Sequence, residues 1–231
     1  MRVGITLPHF EPTPRPALEA ARQAEDLGLD GVFCFDHLWP MGQPGRPALA
    51  PLPLLAAVAA TTSKVAVGTL VSRVGLVEDD VLVASLRSLD RIATGRCIAG
   101  IGTGDTLSRA ENEAFGLPFE PAARRRQRMA AVAAALLDAG TTVWLGGGAA
   151  PVAALGRLLS VPLNLWGADA ADVEAARSRG NSVTWGGVVP TDVGAAAEHF
   201  ARLAAAGADW VVCAWPPSLK VVARAARSTR E

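Results

Sequence analysis

Asp36 and His37 stand side by side at the end of an apolar run, Gly31–Phe35. An imidazole titrates near neutral pH, and a carboxylate beside it can fix its tautomer or contact a cofactor, so the pair suits acid–base work. Asp105, in the Gly102-Thr-Gly-Asp turn, is a second candidate acid, with a helix N-cap as its other reading. His9 follows the first apolar run. His199 sits mid-helix in the sequence pattern, where a solvated position is expected. Gly146-Gly147-Gly148 precedes a helix starting at Ala149. Glycines let the backbone approach a phosphate, and a helix N-terminus offers N–H groups and a partial positive charge. A tight turn into the helix is the plainer reading of the same residues. The Gly100-x-Gly102-x-Gly104 run lacks the spacing and the ribose-binding acid of a dinucleotide fingerprint. Trp166, Trp185 and Trp215 fall at strand ends and Trp39 follows Asp36-His37, so they either wall a pocket for a flat ring or belong to the core.

Eight short apolar runs must position these residues. Strands are expected near 3–7, 31–35, 65–71, 96–101, 142–145, 162–166, 182–185 and 210–215, with helices over 17–27, 52–61, 81–92, 124–137, 170–179 and 193–205 and a last one after Pro217. Near-continuous apolar strands separated by helices imply a parallel sheet covered on its outer side, and eight such units imply a closed (β/α)8 TIM barrel. Gly28, Gly140, Gly180 and Gly207 follow helical runs, where a left-handed C-cap favours glycine. Asp79, Asp169 and Thr191 or Asp192 sit at helix starts as candidate N-caps. In such barrels the chemistry collects at the C-terminal ends of the strands. His9, Asp36-His37, Ser72-Arg73, Thr103 to Asp105, the Gly146–Gly148 turn, Asn164, Trp166, Trp185 and Trp215 would all meet there. Adjacent residues on a strand point to opposite faces, so Asp36 and His37 share one pocket only if the strand ends or bends between them.

The chain has 231 residues, close to the roughly 250 typical of this barrel, and reads as one domain over 1–231. Its 22 basic and 22 acidic residues cancel, which argues against nucleic acid as a partner. The densest basic run, Arg124 to Arg128, reads as a solvated helix face. Cys34, Cys97 and Cys213 lie in apolar runs and are expected as free core thiols in a reducing cytoplasm. No cysteine or histidine cluster has zinc spacing, so no metal is expected. The opening residues already form a strand pattern rather than a signal peptide. The longest apolar stretch, Ala48 to Ala60, contains prolines and falls short of the roughly 20 residues of a membrane span.

Several stretches, in chain order, carry a resemblance. They are Asp36-His37, Gly68-Thr-Leu-Val, Ser88 to Asp105, Glu113-Ala-Phe-Gly-Leu-Pro-Phe119, Arg124 onward, Trp144-Leu-Gly-Gly-Gly and Asn164-Leu-Trp-Gly. Together they resemble the luciferase-like flavin and deazaflavin oxidoreductases, strongly from residue 1 to about 167 and faintly beyond. The Asp-His pair is similar to the branch that uses coenzyme F420, whereas FMN luciferases more often carry Glu-His-His. The resemblance implies a shortened luciferase-like barrel that exchanges a hydride with a small, hydrophobic organic substrate. Asp36 would contact the deazaflavin, His37 would handle the proton, and Asp105 would assist. Thr103 and Gly104 would bind the cofactor, and Gly147 and Gly148, with backbone near Pro151 and Val152, would hold its phosphate. A non-proline cis peptide at Leu70-Val71 would support the ring from behind. His9, Trp39, Trp166, Trp185 and Trp215 would line the substrate pocket. An FMN-dependent monooxygenase using O2 and a non-catalytic flavin-binding barrel are the alternatives. Relatives carry a late insertion over the substrate that this sequence lacks, and the basic residues expected for a sugar phosphate have no match. The mouth is therefore expected to be open or completed by a second subunit of a homodimer.

Overall fold

A computed structural model describes residues 1–215 and 218–229. Strands β1 (Arg2–Thr6), β2 (Gly31–Cys34), β3 (Ala66–Arg73), β4 (Cys97–Gly102), β5 (Thr142–Gly146), β6 (Leu163–Trp166), β7 (Val183–Gly187) and β8 (Ala208–Cys213) pair in sequence order, all parallel. β8 returns to β1, with Val3 opposite Val211 and Ile5 opposite Cys213, and the barrel closes. Helices α1 (Arg15–Asp26), α2 (Pro51–Thr61), α3 (Asp79–Ile92), α4 (Arg109–Ala114), α5 (Ala122–Asp138), α6 (Ala150–Leu159), α7 (Ala170–Ser178), α8 (Val193–Ala205) and α9 (Leu219–Ser228) follow the strands. The eight expected strands and the expected helices are all present, with their ends shifted by no more than two residues. Pro217, which the sequence places before the last helix, lies outside the described residues. No described helix is long and apolar enough to cross a membrane.

The two-residue period of a strand sorts the side chains. Val32 and Cys34, Ile101, Val143 and Leu145, Leu163 and Leu165, and Val211 and Cys213 join the cluster shared with the helices. The alternate positions turn inward, and there Phe33, Leu70, Ile98, Trp144, Trp210 and Val212 form a separate buried cluster. Phe33 stacks on Trp144 at 5.3 Å, Trp210 meets Phe33 edge-on at 5.9 Å, and Trp210 meets Trp144 at 5.4 Å. Aromatic pairs at these separations contribute about 0.5–1.5 kcal/mol beyond their burial. Glycines make room for them. A Cβ on Gly68 would fall 2.5 Å from the Ile98 carbonyl oxygen and 2.9 Å from the Phe33 ring.

Four expectations need correction. Asp79 does not cap α3, because Glu78 holds the cap position and the Asp79 carboxylate pairs with Arg128 instead. The Arg124–Arg128 run is a solvated face only in part, at Arg124 and Gln127. Arg125 is buried, with Phe119 under its guanidinium at 4.1 Å, and Arg128 bridges Asp79 and Glu120, both at 2.9 Å. His199 packs edge-on against Trp185 at 4.9 Å, and burial lowers its pKa. Lastly, α4 is a helix where none was expected. The C-cap glycines 28, 140, 180 and 207 have positive φ, and Asp169 and Asp192 accept from Asp172 N and Ala195 N as caps. The three cysteines are free and buried, and burial raises the Cys97 thiol to about 12.

Candidate active site

A cavity of about 950 Å³ opens at the C-terminal ends of the strands. Its back wall is the end of β3. The Leu70-Val71 peptide is cis, and the β3–β4 ladder passes from Thr69 to Ser72 across it. Val71 projects towards three glycines. A Cβ would come within 2.3 Å of Val71 on Gly102, 2.9 Å on Gly146 and 3.2 Å on Gly100. Side chains at those positions would drive Val71 into the cavity, so the glycines set the depth of the pocket. One flank is the turn Gly146–Ala149 leading into α6, with Val152. Gly147 has φ +108 and open space where a Cβ would stand. Phe10, Phe35, Met41 and Trp166 supply apolar walls, with Trp166 edge-on to Phe35 at 5.1 Å.

β2 ends at Cys34, and this early end lets both Asp36 and His37 line the same cavity. The turn is held by Arg73, whose amide donates to Asp36 Oδ2 at 2.7 Å and whose Nε donates to the Asp36 carbonyl at 3.0 Å. Burial pushes the Asp36 carboxyl up to about 6, with the nearby Glu111 charge adding to the rise and Arg73 and His37 opposing it. A carboxyl whose folded value lies above its ordinary 3.8 holds its proton more tightly in the native state. Its contribution to stability is then full below about pH 4 and lost as pH rises through about 6. An asparagine there does not titrate. Asp36→Asn should therefore gain stability relative to the wild type across that window, as followed by urea unfolding at a series of pH values. A gap that stays constant with pH would remove the burial argument.

His37 Nδ1 lies 3.1 Å from Glu111 Oε2. Glu111 belongs to α4 and is 3% exposed. It also accepts from the amides of Leu38 and Trp39 through Oε1 and forms an ion pair with Arg73 at 2.7 Å. Burial pushes Glu111 up, but the hydrogen bond from His37, the Arg73 charge and the Leu38 amide outweigh it and hold the carboxyl below the usual range. Sequence reasoning missed this residue. It sits among Arg109 and Glu113 in a charged stretch that looks solvated, and its partner His37 is 74 positions away.

The other candidates divide. Leu70, Val71, Thr103, Gly104, Gly147, Gly148, Asp105 and Trp166 line the cavity. Asp105 lies at the exposed rim, where Oδ1 accepts from Leu107 N at 2.9 Å and Ser108 N at 3.2 Å, so the N-cap reading holds. The carbonyls of Thr103 and Gly104 accept from Arg125, which fixes that loop from below. His9, Trp39, Trp185 and Trp215 are not among the lining residues. His9 is fully buried behind Phe10 and Phe35, at 4.0 and 5.8 Å between rings, and burial lowers its pKa to about 4. Trp39 stacks on Phe115 at 5.5 Å. Trp185 has the outward parity of β7, is buried among the helices and donates to the Ala168 carbonyl at 2.7 Å. Trp215 follows β8, and its amide donates to Thr6 Oγ1 at 2.8 Å. Phe10 and Phe35 were missed. Phe35 continues the inward parity of Gly31 and Phe33, which is a signal the sequence does carry.

A sequence profile of the luciferase-like monooxygenase family matches residues 1–231. An F420-dependent glucose-6-phosphate dehydrogenase from Beutenbergia cavernae is 34% identical over 147 residues, which is 63% of this chain and 42% of that protein. The match thus spans about two-fifths of the length of that curated relative. An F420-dependent secondary alcohol dehydrogenase, solved with an F420-acetone adduct, superposes with a TM-score of 0.83 at 13% identity over 100% of this chain and 99% of the other. The coenzyme F420-dependent tetrahydromethanopterin reductase of Methanopyrus kandleri superposes with a TM-score of 0.74 at 14% identity, covering 96% of each chain. At such identities the superpositions establish the shared barrel.

Proposed function

The chain belongs to the luciferase-like monooxygenase family, and from that premise we propose that it is an oxidoreductase using coenzyme F420 to move a hydride to or from a small, hydrophobic organic molecule. One observation carries the reading. His37, the wall at Leu70-Val71, the Gly102–Gly104 turn and the Gly146–Gly148 turn converge on a single cavity.

The residues fit the deazaflavin. A flat ring needs a slot with a firm wall, and Val71, seated against Gly102 and Gly146, provides one. Asp36, Leu70, Val71, Thr103 and Gly104 would hold the ring. Gly147 and Gly148, with Val152 at the start of α6, would hold its phosphate, where backbone N–H groups and the helix dipole favour an anion. When bound, the deazaflavin supplies a ring carbon that accepts or donates a hydride. His37 would take the proton from a substrate hydroxyl as the hydride leaves, or return it in the reverse direction. Asp105, with Oδ1 committed to its cap, would hold the loop and add charge at the rim rather than carry the proton.

Phe10, Phe35, Met41 and Trp166 favour an apolar substrate. A sugar phosphate is a poor fit. Of the two arginines that line the cavity among the described residues, Arg73 is occupied by Asp36 and Glu111, and Arg179 stands beyond α7. Titrating the protein with F420 and FMN side by side tests the cofactor. Saturable F420 binding, tighter than FMN, is expected. Tight FMN binding with oxygen consumption would replace this reading with a flavin monooxygenase, and F420 binding without turnover in a screen of alcohols and carbonyl compounds would leave a non-catalytic binding barrel.

A further inference from the structure

We propose that Glu111 is a positioning residue that fixes the tautomer of His37, holding the proton on Nδ1 and leaving the Nε2 lone pair for the substrate. The inference rests on the reading of His37 as the proton carrier. Its structural half stands without that reading.

Among the described residues, four groups face the Glu111 carboxylate: the Arg73 guanidinium, the amides of Leu38 and Trp39, and His37 Nδ1. The first three are obligate donors, since neither a guanidinium nor a backbone N–H can accept. An ion pair at 2.7 Å with Arg73 keeps the carboxylate ionised, and an ionised carboxylate only accepts. The sole way for His37 Nδ1 to stand 3.1 Å from Oε2 favourably is to donate. In a neutral imidazole the other nitrogen is then an acceptor, because the two ring nitrogens take complementary roles. That is the state a general base needs.

The same carboxylate fixes the position of the ring. Oε1 holds the amides of Leu38 and Trp39, and Arg73 holds the Asp36 carbonyl and carboxylate. The segment 36–39 is therefore tied at four backbone or side-chain points to two buried residues from β3 and α4. Neither Arg73 nor Glu111 needs to touch the substrate. Arg73 Nη1 also makes a weaker contact with Asn112 Oδ1 at 3.5 Å.

Glu111→Gln separates positioning from simple support. The amide keeps its oxygen for the two fixed backbone donors, Leu38 and Trp39, and its NH2 then stands where Oε2 faced both Arg73 and His37, so the guanidinium must turn away and the imidazole is the one neighbour that can answer a donor. Nδ1 must then accept, and the proton moves to Nε2. The probe is a proton–nitrogen correlation spectrum of the protein labelled with 15N-histidine, recorded without cofactor. Only three histidines are present, and His37 is identified as the one lost in His37→Gln. The expected result is an Nδ1–H tautomer for His37 in the wild type and an Nε2–H tautomer in Glu111→Gln. An Nε2–H tautomer in the wild type, or no change in the variant, overturns the proposal. Should the variant fail to fold, the wild-type tautomer alone decides. With F420 and a turned-over alcohol, the variant should lose about 100-fold in hydride-transfer rate with little change in cofactor affinity. A failure of F420 to bind at all would count against the proposed function and leave the tautomer result standing.

Discussion

His37→Ala should lower the rate of hydride transfer by about 100-fold or more while leaving the F420 dissociation constant nearly unchanged. General acid–base groups contribute on the order of 10²- to 10⁴-fold, and this residue is the one at the site with a ring nitrogen free of the buried ion-pair network. Asp36, Val71 and the glycine turns keep their places without the imidazole, since Asp36 is held by Arg73 and the Leu38 and Trp39 amides by Glu111. Binding should therefore survive. Stopped-flow mixing with F420 separates the two quantities, because cofactor absorbance follows the hydride and a titration gives affinity. A variant at full speed would remove His37 from the chemistry. A variant that loses affinity and rate together would assign His37 to cofactor binding instead.

Trp144→Ala should cost about 3–5 kcal/mol of stability, the range for truncating a large buried aromatic. For a chain of this length that is a fall in melting temperature on the order of 10 °C. Trp144 is 2% exposed and lies between Phe33 and Trp210 inside the barrel. The parallel strands around it cannot close inward, because their hydrogen bonds fix the barrel radius, so the void stays. Leu70 belongs to the same interior cluster and Val71 packs against it. The loss should therefore reach the cavity wall, and F420 affinity should fall with stability. His37→Ala gives the opposite pattern, since the imidazole lies at the mouth and outside that cluster. Thermal melts and cofactor titrations on the two variants check the contrast. A Trp144→Ala protein that loses less than about 1 kcal/mol would mean that the interior can collapse or fill with water.

The barrel was legible because its signals are local. Alternating apolar runs and helical stretches, ended by glycines at 28, 140, 180 and 207, need no knowledge of distant contacts. Asp36-His37 and the Gly146–Gly148 turn were legible for the same reason, since strand ends in this fold face one mouth. The cis peptide at Leu70-Val71 came from family resemblance and not from any physical property of leucine or valine. Four aromatic or histidine candidates failed on orientation. Trp185 has the outward parity of β7 and faces the helices, which distinguishes it from Trp166 on β6, and His9, past the end of β1, lies buried behind Phe10 and Phe35. Trp39 and Trp215 lie past the strand ends, where parity no longer applies.

Sequence alone thus determined the architecture, the family likeness and the Asp36-His37 pair, because periodicity and short motifs are properties of neighbouring residues. The tertiary structure alone decided which acid serves His37. Asp105 lies nearer in the family pattern, but its carboxylate turns to the start of its own helical turn. Glu111 comes from the next helix and is drawn under the imidazole by Arg73 and two backbone amides. A buried carboxylate goes where donors converge, and convergence of groups 38 and 74 positions away is a property of the closed barrel.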